Sequence, residues 1–310
     1  EAGKFIYRCE VEVDNSSYLK SSQNGKILYS IADEGVVAFR VLPNGSLARL
    51  NSAKIKGMRG CHLSTSKADD YIFISGFHDG KITVLHLNED GSVGDIADGV
   101  FHKGLGSVAE RSFRPHVSCS RLTPDERFLM VADLGIDQIK VYRFDHKDGK
   151  IALVDTIRCE LESAPKYFMF SSDGRFFYVL YEMKNVIEVY SYKEGERVPI
   201  VEKIQTISST GSKPNQLTAA CAMHFSPDEK HVFCSNAGDN TVSMYDRDDE
   251  TGMLTLRFCL PISGDYPKDI AIFPGGEHLA SINHEGSISF FKIDYEKGLL
   301  VMSDRSIKVN

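Results

Sequence analysis

At 310 residues the chain exceeds a small domain but lies within the length of a single all-β barrel or propeller. Hydrophobic residues make up 42% and charged residues 25%, enough to bury a large core, and the net charge of -7 argues against a general nucleic-acid surface. The apolar runs are only strand length, so no membrane-spanning helix and no membrane partner are expected.

The start of the chain lacks a signal-peptide pattern. The seven cysteines (Cys9, Cys61, Cys119, Cys159, Cys221, Cys234, Cys259) never form Cys-x-x-Cys, and most sit in apolar strands. Buried reduced thiols follow, with neither disulfide nor zinc site, and a cytoplasmic location.

In chain order, Lys4–Val13 reads as a lone strand ahead of the first full repeat. Gln23-Asn24-Gly25 turns into the apolar strand Lys26–Ile31; the alternating strand Gly35–Val41 follows, then a turn at Asn44-Gly45. Lys67-Ala68-Asp69, Tyr71–Ser75, Lys81–Leu87 and Asp90-Gly91 repeat the series. Its fullest copy lies between Phe113 and Lys150. There Pro124-Asp125 turns into Arg127–Val131, Gln138–Phe144 alternates, and Lys147-Asp148-Gly149 leads to an outer strand at about Ile151–Ile157. Three further copies begin at Ser172-Asp173-Gly174, Pro227-Asp228-Glu229 and Pro274-Gly275-Gly276.

The period is roughly 45–55 residues, that of propeller blades rather than helical solenoids. Six four-stranded antiparallel blades are counted, at 14–54, 58–101, 113–158, 163–206, 217–261 and 264–308. The lone strand implies a seventh blade, incomplete in this chain, with trimmed ends; a complete six-bladed ring is the competing count. The expectation is an all-β seven-bladed propeller as one domain, 1–310. Two long connections, Val100–Arg114 and Ser208–Thr218, precede innermost strands and are expected at the channel mouth.

Five strings, in order and in register with the blades, carry a resemblance. They are Gly60-Cys61-His62-Leu63-Ser64; Arg114-Pro115-His116 with Val131 to Arg143; Ala164-Pro165-Lys166 with Tyr181-Glu182-Met183; Ala219 to Asp228 with Cys234 to Gly238; and Tyr266-Pro267-Lys268. With them, almost the whole chain resembles the lactonase family of seven-bladed β-propellers. That group includes bacterial propeller-type 6-phosphogluconolactonase and the fungal carboxymuconate cyclase.

The resemblance implies an active site of His, Arg and Glu side chains at the channel mouth. Here the first histidine of a Pro-His-x-His pattern is kept as His116 and the second is Ser118. Gly-Pro-Arg-His has become Ala164-Pro165-Lys166-Tyr167, Asn-Glu-Leu has become Tyr181-Glu182-Met183, and a later Pro-Arg is Pro267-Lys268. Lactone hydrolysis needs a base for water and cations for the developing oxyanion and any phosphate. His116 or Glu182 is the expected base. Lys166 and Lys268 are expected to hold anionic oxygens, with His62 and His224 beside them and Arg111 and Arg114 at the rim. Lysine is a compact charge that suits phosphate, whereas the planar fork of arginine better orients a carboxylate. The substitutions therefore tilt away from the cyclase.

Each residue has a structural alternative. His62 and His224 can serve as hydrogen-bonding struts, and Glu182 can form a salt bridge with Lys166. Asp133, Asp137 and Asn236 are expected to cap backbone groups. Phe128, Phe176, Phe177 and Phe233 are expected in the core. The remaining histidines, His102 among them, show no metal spacing and receive no role.

The expected function is hydrolysis of a sugar lactone, 6-phosphogluconolactone first, without metal or cofactor, by a monomer or weak homodimer. A non-catalytic propeller binding a small anion or a protein is the alternative, and an isomerase or cyclase acting on a carboxylated lactone a third.

Overall fold

The computed structural model describes residues 7–107, 113–211, 217–284 and 286–308. These fall into two compact units, one of residues 7–165 with 194–199, the other of residues 166–193 with 200–308.

In the first unit, Leu19–Ser21, Ile27–Ala32, Gly35–Val41 and Leu47–Lys54 (β1–β4) form one sheet, and His62–Thr65, Tyr71–Gly76, Lys81–Leu87 and Val93–Phe101 (β5–β8) form another. Val117–Leu122, Phe128–Asp133, Gln138–Phe144 and Ile151–Arg158 (β9–β12) complete a third. The fourth sheet is Pro165–Phe170, Phe176–Tyr181, Val186–Lys193 and Ile200–Ser208 (β13–β16). The second unit also holds Ala219–Phe225, His231–Ala237, Thr241–Arg247 and Leu254–Pro261 (β17–β20), then Asp269–Ile272, His278–Ile282, Ser287–Asp294 and Leu299–Lys308 (β21–β24). Each of these six sheets is an antiparallel meander in chain order, the blade arrangement the repeats predict.

Second strands such as β6, β10 and β14 are buried at every position; β6 packs Ile72 and Ile74 with residues of the first sheet and Tyr71 and Phe73 with residues of the third. Outer strands such as β16 alternate between exposed and half-buried residues. Phe128, Phe176, Phe177 and Phe233 are all buried. A bulge recurs between the third and outer strands, at Ala38/Phe39, Val84/Leu85, Val141/Tyr142, Val189/Tyr190 and Met244/Tyr245. It raises local twist and lets the outer strand wrap its neighbour.

A buried hydroxyl organises the turn after the innermost strand. The side chains of Ser22, Thr123, Ser171 and Ser226 each donate to the Asn or Asp two residues on, and each accepts the N–H of the residue five on. Ser66 does the same with Asp70 and Tyr71. At three of these turns the residue in the left-handed region is acidic: Asp69 (φ 53°), Glu126 (φ 57°) and Glu229 (φ 55°). Their carboxylates accept the N–H of Gln23, Lys67 and Ser172 in the preceding sheet, at 2.7, 2.6 and 3.0 Å. Each acidic side chain thus clips one sheet to the next within its unit.

One expectation is corrected. Residues 7–13, the described part of the Lys4–Val13 segment, form no strand. Tyr7 and Val11 stand exposed, and each sheet among the described residues has its four strands from elsewhere, so the segment has no ladder to join.

Candidate functional site

In the first unit, His116 lies just before β9. Its N–H donates to Asp133 Oδ1 at 2.8 Å, and its carbonyl accepts the Leu134 N–H at 3.0 Å. The ring stacks on Phe77 with centroids 4.4 Å apart and 19° between planes. Nδ1 sits 2.7 Å from the Phe77 carbonyl oxygen. A carbonyl only accepts, so Nδ1 carries a proton, and in the neutral ring Nε2 is the acceptor nitrogen. No described residue hydrogen-bonds that Nε2.

Ser118, where the family pattern has a second histidine, sits on a bulge: Ala132 pairs with Cys119, and Asp133 with Val117. The bulge re-aims its hydroxyl, which donates to the Pro165 carbonyl at 3.1 Å. His62 is buried and lies across to the neighbouring sheet. Its Nδ1 faces the Ser120 N–H at 3.5 Å and its Nε2 the Cys119 sulfur at 3.6 Å. Arg114 is exposed, its guanidinium 5.7 Å from the Phe113 ring centroid. Arg111 lies outside the described residues.

In the second unit, Lys166 on β13 and Glu182 at the end of β14 form an ion pair, Nζ to Oε2 2.7 Å. Cys221 Sγ is 3.8 Å from the same nitrogen. Burial pushes the Lys166 pKa down, but the Glu182 carboxylate outweighs it and the result lies above the usual lysine value. Burial pushes the Cys221 thiol up, against the pull of Lys166. Cys221 is itself the extra residue of a bulge, since Ala220 pairs with Asn236 and Ala222 with Ser235. This aims its sulfur at Lys166 rather than leaving it in the ladder.

His224 Nε2 meets Asp269 Oδ1 at 3.0 Å, with the Tyr167 ring 5.7 Å from its own. Lys268 is exposed just before β21; its N–H donates to the Ile282 carbonyl, and no described residue pairs with its ammonium. Tyr181 is buried with its hydroxyl against Tyr190, so it does not reach the solvent near Glu182. The chain therefore brings Lys166, Glu182 and Cys221 together in one unit, and in the other it gives His116 an oriented ring. His224 instead contacts Asp269 and Tyr167, and Lys268 is tied through its backbone to Ile282.

Among the described residues no group of His, Cys, Asp and Glu is placed to hold a metal ion, and no helix is long and apolar enough to cross a membrane.

Residues 4–310 match the family model described as lactonase, seven-bladed β-propeller. The chain belongs to that family. It is 27% identical over 304 residues to the 6-phosphogluconolactonase of Bacillus subtilis, covering 96% of this chain and 86% of that protein. A Bacteroides fragilis structure assigned as a candidate 6-phosphogluconolactonase superposes with a TM-score of 0.87 at 29% identity, covering 98% of this chain and 87% of that one. The periplasmic gluconolactonase of Pseudomonas aeruginosa gives 0.89 at 23% identity, over 96% of this chain and 87% of that one, which speaks for fold alone. The lactonase architecture is an all-β propeller of four-stranded antiparallel blades. Six such sheets are found among the described residues, where the family has seven.

Within this lactonase-family chain, sequence reasoning missed His102. Its Nδ1 lies 2.6 Å from Asp133 Oδ2, with both side chains fully buried. No motif or spacing marks it, because it lies just past the end of an outer strand. The only signal was the Asp133-Leu134-Gly135 turn, whose carboxylate needed donors. Asp137 and Asn236 do what the turn chemistry predicts: Asp137 accepts the N–H of Glu162 and Ala164, and Asn236 donates to the Ser209 carbonyl.

Proposed function

We propose that this lactonase-family protein hydrolyses 6-phosphogluconolactone to 6-phosphogluconate. The observation that carries the reading is His116, whose Nδ1–H is held by the Phe77 carbonyl, so that in the neutral ring Nε2 is the nitrogen able to act as a base. In this reading Nε2 removes a proton from water as its oxygen bonds the lactone carbonyl carbon. The tetrahedral intermediate then collapses, the ring carbon–oxygen bond breaks, and the imidazolium returns its proton to the departing ring oxygen. The product is the open hydroxy acid, ionised at neutral pH.

Lys166 is assigned as a cation for anionic oxygens. Its Glu182 partner keeps it protonated and is itself an acceptor rather than the base. Lys268, with a free ammonium among the described residues, is assigned to phosphate, and Arg114 to the rim. His62 and His224 would act at most as neighbours, since their rings already engage Ser120 and Cys119, and Asp269. The name of the Bacillus subtilis relative supports the phosphorylated substrate.

Proton release on mixing the protein with 6-phosphogluconolactone or with unphosphorylated gluconolactone is the test. The reading expects opening faster than the spontaneous rate and a preference for the phosphorylated lactone. Spontaneous rates with both contradict it.

A further inference from the structure

We propose that the buried His102–Asp133 pair is the positioning device for His116, an inference that rests on the reading of His116 as the base. His102 follows the last residue of β8, and its own N–H donates to the Gly80 carbonyl at 2.8 Å. Its Nδ1 meets Asp133 Oδ2 at 2.6 Å, while Oδ1 of the same carboxylate accepts the His116 N–H at 2.8 Å and the Gly135 N–H at 3.1 Å. One buried anion therefore fastens both ends of the connection from His102 to His116. The Lys140 ammonium adds a bond to the Lys103 carbonyl at 3.4 Å.

The pair admits one arrangement. With Nδ1–H donating, Asp133 has three N–H donors on its two oxygens, the surroundings a buried carboxylate needs. The other tautomer would set a lone pair against the carboxylate and bury an N–H at Nε2, where no described residue accepts. Even in the tautomer present, that buried Nε2 has no partner among the described residues. Such an atom costs on the order of 1–3 kcal/mol, which an apolar neighbour with a simple donor would avoid. Stability alone does not select a histidine here. The fit around the base is also close, since a Cβ on Gly135 would lie 1.9 Å from the Arg114 carbonyl oxygen and 2.7 Å from His116 Cδ2. The Asp133-Leu134-Gly135 turn thus sets the backbone of His116, Phe77 sets its ring, and His102 sets Asp133.

The test compares wild type with His102→Leu, His102→Asn and Asp133→Asn by 15N NMR of the His116 imidazole and by steady-state kinetics. The asparagine amide at 102 can replace the Nδ1–H donor; leucine cannot. Wild type and His102→Asn are expected to show His116 as the Nδ1–H tautomer. His102→Leu and Asp133→Asn are expected to show mixed tautomers and to lose about tenfold to a hundredfold in kcat with little change in KM, the scale of a base displaced by about an ångström. An unchanged His116 tautomer and kcat in His102→Leu overturns the proposal. If the leucine variant does not fold, hydrogen exchange of the wild-type His116 amide decides. Strong protection supports the Asp133 clamp, and exchange at the rate of an open loop refutes it. The NMR and exchange readouts need no turnover, so an inactive wild type would sink the hydrolase reading while leaving these results to judge the positioning.

Discussion

Lys166 Nζ lies 2.7 Å from Glu182 Oε2, and the pair, with the two side chains only 29% and 10% exposed, is a coupled unit rather than a surface ion pair. Removing one partner leaves the other charge largely buried. Glu182→Gln and Lys166→Met are each expected to destabilise the fold by about 1–3 kcal/mol, and the double variant by less than their sum. Urea denaturation of the four proteins measures this. Because the folded Lys166 pKa is raised above the ordinary 10.5, the pair's stabilisation is complete below that pH and fades only as pH rises towards the folded value.

Gly135 has no room for a side chain. Gly135→Ala forces the Arg114–His116 backbone away, at about 1–3 kcal/mol of stability. A thermal melt and a lactone assay should both fall, the assay further than the stability loss explains.

The turn hydroxyls make a prediction independent of function. Ser171 is buried, donates to Asp173 at 2.6 Å and accepts the Phe176 N–H at 3.0 Å. Ser171→Ala leaves that N–H buried without an acceptor and should cost about 1–3 kcal/mol, against a smaller loss for Ser46→Ala, a partly exposed residue beside the Asn44-Gly45 turn. Chemical denaturation midpoints distinguish the two.

Asp173 gives the pH dependence. Burial raises its pKa, but bonds from Ser171 and the Arg175 N–H and side chain outweigh this and bring it down to about 2. A depressed carboxylate contributes stability above its unfolded value of 3.8, and loses it as pH falls towards 2. Wild type should therefore lose melting temperature between pH 4 and 2 more steeply than Asp173→Asn. The side chain is 38% exposed, so the difference should be small.

The blades were legible because each repeat carries its own punctuation. Asn24-Gly25, Pro124-Asp125 and Ser172-Asp173-Gly174 set turns locally, and the strands between them alternate or stay apolar according to how many faces are covered. The Lys4–Val13 segment misled, since strand-like residues make a strand only where a neighbour offers a ladder. In the candidate site, the Lys166–Glu182 salt bridge was legible as one of two readings of Glu182. The bulges at Ser118 and Cys221 were not, because one extra residue in a ladder leaves no periodic trace over so short a strand. His102 was hidden for a similar reason: its partner Asp133 is 31 residues away and the contact is tertiary.

Freshly generated 6-phosphogluconolactone, followed beside its spontaneous opening with wild type and with His116→Gln, tests the base assignment most directly. Wild type should accelerate opening well above background, and the variant should lose about 10²–10⁴-fold in kcat/KM. Equal rates for wild type and variant would contradict it.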